Sequence, residues 1–542
     1  MIQKKEVRKK RIWVLCVLLV LMGELMVLLY YGGQKTGFHE DELYTFYSSN
    51  KTAGLFVEDR QWVPGDQLFS EMVVLKGETF RFWVVKQMQS FDVHPPLYYY
   101  FYHAAASLTP GVFSKWTGIA VNLVAFIGCF LLLSGISYEV YRKKEGFDKR
   151  AAALTLCVDI AWGLSAAVIS GVMFIRMYQW LTFFVLLITW IHVKAIRKNV
   201  FSFIRFYLPV TITVFLGFLT QYYYLIFHVF LGIGFCLYVL FKQEKPFFKI
   251  LMYGLSCAVG LAGALLYYPA SLSHIFRGYR GTEAVSEFKN GANTLDRFRF
   301  FIGLFDDYVV NDTLVIWLLI LLLLALSACY IYKKNGIKIT YDLYGILGIT
   351  ALGYFAIIAK TALILGETSN RYELPIYGII LLLLIGGMAN FADVILAQIS
   401  WTKNWEKIVL PLSFCAILLL MNGLNLKEGR VFFLYKEEQL VKQYIEEKKD
   451  EPVTVIYNPE SSDAMWWLLD ELSVFDRIYM VDSANLAKTE DDVLRNADYI
   501  TVYLADGVNP DAVLGEFLDL NSAITKYDVV MKKDLWTIYA FS

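Results

Sequence analysis

Three consecutive carboxylates, Glu40, Asp41 and Glu42, follow the first long apolar run of this 542-residue chain, within the sequence GFHEDELYTF at residues 37–46. A carboxylate within hydrogen-bond reach of a hydroxyl group can take its proton as the oxygen attacks an electrophile. Acidic residues next to a membrane span are also often only solvated. Proton transfer and solvation are therefore both open for this cluster when it is considered alone.

Two arginines in short connections between apolar runs indicate a second kind of chemistry. Arg176 lies in GVMFIRMYQW and Arg371 in GETSNRYELP. Both connections are assigned below to the outer side, where arginine runs against the usual bias of basic residues, so each is expected to have an anionic partner. That partner could be one of the acids or a phosphate group, which a guanidinium binds through two parallel hydrogen bonds.

Lys360 is a third basic candidate. It interrupts the apolar run YFAIIAKTALIL, where an unpaired ammonium group would be unfavourable. It is expected either to join the arginines at an anion or to reach the membrane surface along its own aliphatic stem.

These candidate residues lie in or beside membrane helices. Residues 12–31 form an apolar run of about twenty residues, enough to cross a hydrocarbon layer of roughly 30 Å. Apolar residues make up 57% of the chain and charged residues 18%, with a mean hydropathy of +0.47. These values predict a polytopic α-helical membrane protein, and the spacing of its basic segments, described next, gives about eleven spans. The net charge of zero does not indicate nucleic acid binding, and the seven cysteines, all in apolar runs, indicate neither disulfides nor a metal site.

Basic residues predict the orientation of the spans. Lys and Arg cluster before the first apolar run and again at residues 142–150, 194–198, 242–249, 333–338 and 403–407. The positive-inside rule assigns these segments, and the amino terminus, to the cytoplasmic side of the cell membrane. The outer side then carries the loop at 32–115, the connections at Arg176, Gln221 and Arg371, a long and partly ordered loop at 271–312, and the tail.

The chain is predicted to divide at about residue 425. Residues 1–425 form the multispanning domain, whose outer loop at 32–115 contains a segment, 97–109, that is too short to span and is expected to lie along the surface. Residues 426–542 alternate strand-like runs (VTVIY, RIYMV, YITVYL and LWTIYAF) with helical ones. This pattern is typical of a small α/β domain, here extracytoplasmic. The tail has no glycine-rich phosphate loop, so no catalysis is assigned to it.

Five short motifs, taken in order, resemble those of the GT-C glycosyltransferases. They are DELYT from Asp41, DVHPPLYYY from Asp92, IRMY from Ile175, TQYYY from Thr220 and RYELP from Arg371. The resemblance covers residues 1–380 and is greatest to the bacterial branch related to protein O-mannosyltransferases and the lipid A aminoarabinose transferase. These are multispanning enzymes that take a sugar from a polyprenyl phosphate on the outer side of the membrane.

The resemblance implies transfer of a sugar from a polyprenyl-phosphate donor to a hydroxyl of a cell-envelope polymer, glycolipid or protein, with inversion at the anomeric carbon. In that mechanism Asp41 is the catalytic base, and Glu42 orients the acceptor or helps to hold a divalent cation. Arg176 and Arg371, together with Lys360, bind the donor phosphate. The residues that shape the loops or bind substrate are Asp92, His94, Pro95, Gln221 and Tyr372.

Two positions depart from the pattern of that family. Phe174 stands where its members often carry glutamate, two residues before the arginine of IRMY, and this argues against an ion pair or a metal contact there. Gln221 stands where they often carry histidine, which keeps a hydrogen-bonding group but removes a titratable one.

Other functions are open from the sequence. A transporter or flippase for a lipid-linked sugar would also need many spans and arginines near phosphate, but it predicts paired interrupted helices and an internal repeat, and neither is visible in the sequence. A polysaccharide polymerase or ligase shares the many spans and a large outer loop. A non-catalytic membrane scaffold would use the tail as its binding module.

Overall fold

The computed structural model describes residues 2–51, 57–143, 145–335, 342–398, 406–521, 523–533 and 535–542. Parts of three basic connections used above to assign the cytoplasmic side, at residues 144, 336–338 and 403–405, lie outside the described residues. The described chain is mostly α-helical and contains a six-stranded β-sheet.

The helices up to residue 267 are α1 (Ile2–Gln34), α2 (Glu40–Ser48), α3 (Gly65–Met72), α4 (Phe82–Gln89), α5 (Leu97–Ala106), α6 (Lys115–Tyr141), α7 (Lys149–Gly163), α8 (Ala166–Met173), α9 (Tyr178–Lys198), α10 (Leu208–Thr220), α11 (Tyr223–Lys242) and α12 (Pro246–Tyr267). Those that follow are α13 (Ala270–Phe276), α14 (Tyr279–Lys289), α15 (Thr294–Val309), α16 (Leu314–Asn335), α17 (Asp342–Thr361), α18 (Leu374–Leu396), α19 (Glu406–Lys427), α20 (Glu438–Lys448), α21 (Leu469–Leu472), α22 (Asp492–Asn496) and α23 (Pro510–Leu520). The strands are β1 (Gln61–Pro64), β2 (Val453–Tyr457), β3 (Arg477–Asp482), β4 (Ile500–Ala505), β5 (Tyr527–Lys533) and β6 (Trp536–Phe541). Short 3₁₀ or π-helical turns lie at Phe203–Tyr207, Thr368–Tyr372, Pro459–Leu468 and Ser483–Lys488.

Within the described residues, ten helices are long and apolar enough to cross a membrane: α1, α6, α9, α10 with the π-helical turn before it, α11, α12, α16, α17, α18 and α19. Helices α7 and α8 meet at a bend of 55° and pass the same test together, which gives up to eleven spans. The predicted polytopic helical fold with about eleven spans is confirmed at this level of length and composition.

Two connections predicted from the sequence have a defined structure. The segment at 97–109 is mainly α5, a helix of 10 residues that is too short to cross a hydrocarbon layer. The connection at 271–312, predicted as a partly ordered loop, is mostly helical, because α13, α14 and α15 occupy much of it.

Hydroxyl groups inside the apolar helices bond to their own helix. The hydroxyls of Thr155, Thr189 and Thr350 each donate to the carbonyl four residues earlier, at 2.7–2.8 Å. A hydrocarbon layer supplies no water to these groups, so an internal acceptor lowers the free energy of placing them there.

Glycine allows close approach of helices at two positions. A Cβ at Gly163 of α7 would lie 2.2 Å from the carboxylate of Glu24 on α1. A Cβ at Gly353 of α17 would lie 2.2 Å from the ring of Phe230 on α11. Small residues at such crossings are typical of helices that pack in a membrane.

The chain forms two compact units. The first contains the residues up to 33, 89–98 and 119–433, and with them most of the spanning helices. The second contains residues 34–88, 99–118 and 434–542. The segment after the first span therefore folds, for the most part, with the carboxyl-terminal tail.

The sheet of the second unit has the strand order β1-β3-β2-β4-β6-β5. Strand β2 pairs in parallel with β3 and β4, whereas the pairs β1–β3, β4–β6 and β5–β6 are antiparallel. One face is covered by apolar residues of α3 and α20, and the other by those of α22 and α23. Strands β2, β3, β4 and β6 coincide with the four predicted runs, while β1 and β5 were not predicted; β1 has only 4 residues, too few to show an alternating pattern.

The orientation predicted from the basic residues can be tested by cysteine labelling. Glu460→Cys, in an exposed turn of the tail, should react with a membrane-impermeant maleimide in intact cells, because the tail is predicted to lie outside. Lys198→Cys, exposed at the end of α9 on the predicted cytoplasmic side, is the matched control and should react only in opened cells. The unsubstituted chain gives the background from the native cysteines. The reverse pattern would show that the orientation is inverted.

Candidate active site

The acidic cluster forms the first turn of α2. The Nδ1 atom of His39, the residue before the helix, accepts a hydrogen bond from the Asp41 N–H at 3.1 Å. Glu42 reaches back and accepts the His39 N–H at 2.7 Å. This is a capping box with histidine in the place of the usual serine or threonine, and its spacing is visible in the sequence. Negative charge is favourable at a helix N-terminus, so the position of the three acids has a structural explanation.

Glu42 also forms a buried ion pair. Its carboxylate lies 2.9 Å from the Lys35 ammonium group, and both side chains are 0% exposed. Burial lowers the pKa of Lys35, and the neighbouring Glu42 carboxylate opposes that effect. The same Oε2 atom of Glu42 thus accepts from both Lys35 and the His39 N–H. These two contacts hold Glu42 at the N-terminus of α2. Its predicted contact with an acceptor or a cation stays a prediction.

Asp41 differs from Glu42 in its exposure. Its side chain is 25% exposed, and its carboxylate lies 3.7 Å from the Nδ1 atom of His39. Since that Nδ1 atom accepts the Asp41 N–H, it carries no proton in this arrangement and the imidazole proton is assigned to Nε2. Asp41 therefore has a carboxylate that a hydroxyl group can approach, on a helix end fixed by its two neighbours.

Aromatic residues of the tail support the next turn of α2. The Tyr44 hydroxyl accepts a hydrogen bond from the Trp467 Nε1 atom at 3.1 Å, and the ring of Tyr47 lies 4.1 Å from that of Trp466. Burial raises the pKa of Tyr44, which stays protonated. The tryptophan pair was not singled out in the sequence, because aromatic residues are abundant throughout this chain.

The motif at Asp92 meets Arg176. His94 Nδ1 lies 3.0 Å from the Asp92 carboxylate, and the Arg176 guanidinium lies 3.4 Å from the His94 ring nitrogens. The surrounding protein alone would raise the pKa of Asp92, but interactions with His94 and Arg176 hold it below its usual value. The buried Pro95 follows directly, two residues before α5, where proline restricts the backbone.

Gln221 lies next to a second polar contact, which links Tyr222 through His274 to Ser90, two residues before Asp92. Its side-chain oxygen accepts the Tyr222 N–H at 2.6 Å. The Tyr222 hydroxyl is 3.0 Å from Nδ1 of His274, and Nε2 of His274 is 3.4 Å from the Ser90 carbonyl oxygen. Burial lowers the pKa of His274. His274, in α13, was not predicted, because it lies within a segment expected to be a loop.

Arg371 packs among aromatic rings. The centre of its guanidinium lies 5.2 Å from the ring of Phe174, 5.7 Å from that of Tyr178 and 5.2 Å from that of Tyr372. Tyr178 and Phe174 flank Arg176 in the chain, and Tyr372 also contacts the ring of Tyr223 at 5.7 Å. These distances suit cation–π attraction. Phe174 thus contacts an arginine through its ring.

The Lys360 ammonium group donates hydrogen bonds to other residues of the protein. It donates to the Asn290 carbonyl, to Asn293 Oδ1 at 3.2 Å and to Thr294 Oγ1 at 2.9 Å. Arg297 of α15 in turn donates to the carbonyls of Ala359, at 2.7 Å, and Ala362 at the end of α17. Lys360 therefore holds the α14–α15 connection through these three hydrogen bonds. Its predicted contact with the donor phosphate stays a prediction.

The structure thus brings Asp92, His94, Arg176, Arg371 and Tyr372 to one region of the first unit, with Gln221 on the short connection that leads to Tyr223, the first residue of α11. Asp41 and Glu42 belong to the second unit. Among the residues that the structure describes, no group of three His, Cys, Asp or Glu side chains lies close enough to hold a metal ion.

Comparison with known proteins gives one structural likeness. No family model matches the chain, and no curated protein matches it. Among solved structures, the chain is similar to the crystal structure of ArnT from Cupriavidus metallidurans in the apo state, with 10% sequence identity and a TM-score of 0.48. The alignment covers 96% of this chain and 98% of that one. At this identity the role of each residue has to be argued from its own contacts.

The buried pair predicts a specific pattern of stability. Lys35→Met should lower the free energy of unfolding by about 3–5 kcal/mol, because it leaves the Glu42 carboxylate buried without its partner. The double variant Lys35→Met/Glu42→Gln removes both charges while the amide oxygen can still accept the His39 N–H, so it should recover at least half of that loss. Denaturant unfolding followed by tryptophan fluorescence measures both. A double variant that is no more stable than Lys35→Met alone would contradict the pairing.

Proposed function

We propose that the chain is a membrane glycosyltransferase of the GT-C type, which transfers a sugar from a polyprenyl-phosphate donor to a hydroxyl of a cell-envelope acceptor at the outer face of the membrane. One observation carries the proposal. Motifs separated by up to 280 residues meet: His94 contacts Arg176, and Arg371 packs on the rings that flank Arg176 and on Tyr372, which contacts Tyr223. Four of the five motifs that resemble this family thus converge.

The donor phosphate is assigned to Arg176 and Arg371. Both side chains are 3% exposed, and guanidinium groups keep their charge when partly desolvated. During transfer the bond between the anomeric carbon and the phosphate oxygen breaks, and the phosphate leaves with the electron pair. Fixed positive charge that faces this growing negative charge lowers the barrier, typically by a few kcal/mol for each donor. Asp92 and His94 hold Arg176 in position.

Asp41 is assigned the role of base. The acceptor O–H gives its proton to the Asp41 carboxylate while its oxygen attacks the anomeric carbon from the side opposite the phosphate, so the configuration there inverts. His39 and Glu42 fix the helix end that carries Asp41. The acceptor can be a polymer, a glycolipid or a protein hydroxyl.

A transporter of lipid-linked sugars is the main alternative. Discontinuous helices in transporters usually occur in pairs related by an internal repeat. In the described part of the chain, the bend between α7 and α8 is the single break of this kind. Incubation of the purified protein with a radiolabelled polyprenyl-phosphate sugar and a cell-envelope fraction separates the two functions, because only a transferase consumes the donor.

The role of Asp41 predicts a selective loss of turnover. Asp41→Asn keeps the size of the side chain but cannot accept a proton, so turnover should fall by about a hundredfold or more. Donor binding should stay unchanged. Glu40→Gln, in the same turn of α2, is the matched control for loss of charge and should keep nearly the wild-type rate. Transfer by Asp41→Asn at the wild-type rate would remove Asp41 from the mechanism.

The role of Arg371 predicts weaker binding of the lipid. Arg371→Ala should reduce the affinity for polyprenyl phosphate itself by about tenfold or more, because the lost contact is with the phosphate and not the sugar. Arg371→Lys should recover part of it. Arg299→Ala, whose parent side chain is 71% exposed, controls for general loss of positive charge. Unchanged lipid affinity in Arg371→Ala would mean that this arginine is purely structural.

A further inference from the structure

The second unit contains a cleft of about 690 Å³ that the proposed mechanism does not use. Three lysines line it: Lys35, Lys115 and Lys442. They come from the end of the first span, the start of α6 and the middle of α20. We infer that this cleft binds the phosphate group of a polyol phosphate, the chemistry shared by the head group of a phosphoglycerol lipid and a free or polymeric glycerol phosphate.

Two of the lysines lie close to the same aromatic ring. The ammonium group of Lys35 lies 5.4 Å from the centre of the Phe38 ring, and that of Lys442 lies 5.3 Å from the same centre. The ring attracts each cation, so it holds two like charges in one place. Lys442 adds to the lowering of the Lys35 pKa that burial begins. A bound anion relieves such repulsion, which is the physical reason to expect affinity for phosphate.

The lysines already have partners, and the inference does not depend on their being free. Lys35 pairs with Glu42, and Lys442 lies 3.4 Å from Asp470. Lys115 donates to the Lys35 main-chain carbonyl. Each ammonium group has three N–H donors and can serve a carboxylate and a phosphate together. Lys442, with 39% of its side chain exposed, is the most accessible part of the cleft that carries this charge.

The rest of the lining suits a polyol. Gln439 and Gln443 provide amide groups, and Thr36 and Ser114 provide hydroxyl groups, all of which can bond to sugar or glycerol hydroxyls. Phe113 adds a second apolar ring, and Glu446 and Glu447 add two carboxylates, which can accept hydrogen bonds from the same hydroxyl groups. Three ammonium groups and two carboxylates leave the lining with an excess of one positive charge. Groups that bond to hydroxyls beside the lysines would select a phosphate that carries hydroxyl groups over a simple inorganic anion.

Chain connectivity places the cleft near a membrane surface. Lys35 is the residue directly after α1, and Lys115 is the first residue of α6. Both helices are candidate spans, and within the described residues no candidate span lies between them. The two lysines therefore mark two span ends on the same side of the membrane, where lipid phosphates are found.

The test uses the full-length protein and two probes. In one arm, sn-glycerol 3-phosphate is titrated onto the protein in detergent and binding is measured by calorimetry. In the other, the protein is incubated in mixed micelles of phosphatidylglycerol and phosphatidylcholine, and retained lipid is identified by native mass spectrometry. Neither probe carries a polyprenyl chain or a transferable sugar, so the outcome is separate from that of the proposed transferase activity.

Lys442→Gln should weaken binding by about tenfold in at least one arm, because it removes an ammonium group from the phosphate. Lys442→Arg should keep most of the affinity. Lys532→Gln, on β5 and 65% exposed outside the cleft, is the matched control and should bind as the wild type does. Thermal unfolding of each variant checks that the fold is intact.

The two arms identify the source of the phosphate. Binding of the soluble probe that depends on Lys442 supports a free or polymeric glycerol phosphate, and selective retention of phosphatidylglycerol alone supports a membrane lipid. No binding of either probe by the wild type overturns the inference. Binding that Lys442→Gln leaves unchanged overturns it as well.

Discussion

The absence of water from a hydrocarbon layer is the constraint on which most of this structure depends. Each polar group that enters the layer needs a partner in the protein. Threonine hydroxyls meet this need within one helix turn, as Thr155 does with the Ala151 carbonyl. Charged groups find their partners on other elements. Arg297 of α15 donates to a carbonyl at the end of α17, and Lys360 of α17 donates to Thr294 at the start of α15. The demand for partners thus joins elements that sequence alone leaves as separate helices and loops.

The same demand shapes the acidic motif just outside the first span. Lys35 directly follows that span and its ammonium group is fully buried, so it needs a carboxylate, which Glu42 supplies. Because Glu42 also accepts the His39 N–H, the ion pair and the capping box share one carboxylate. This coupling gives neighbouring acids different roles: one is a structural anchor, and Asp41 is left at a fixed helix end with part of its carboxylate exposed.

The fold was largely predictable from the sequence, and the site only in part. Long apolar runs identify the spans by composition alone, and runs of β-branched residues identify buried strands such as β2. The contacts of Arg176 with His94 could not be predicted from local patterns, because they join residues 82 positions apart. Lys360 was predicted either to join the arginines at an anion or to reach the membrane surface, because the apolar run around it gives no sign of its hydrogen-bond acceptors, which lie about 70 residues earlier, around Asn290. Spacing patterns record local structure and leave such long-range partners unspecified.

The aromatic surroundings of Arg371 have a consequence for how the proposed site can treat an anion. A glutamate at position 174 would place a full negative charge beside the guanidinium and cancel much of its field. Phe174 instead contacts it at 5.2 Å through the face or edge of a neutral ring, as do Tyr178 and Tyr372. Cation–π contact holds the group in place through the ring quadrupole, without adding a countercharge. These three contacts therefore orient Arg371 without themselves neutralising its charge.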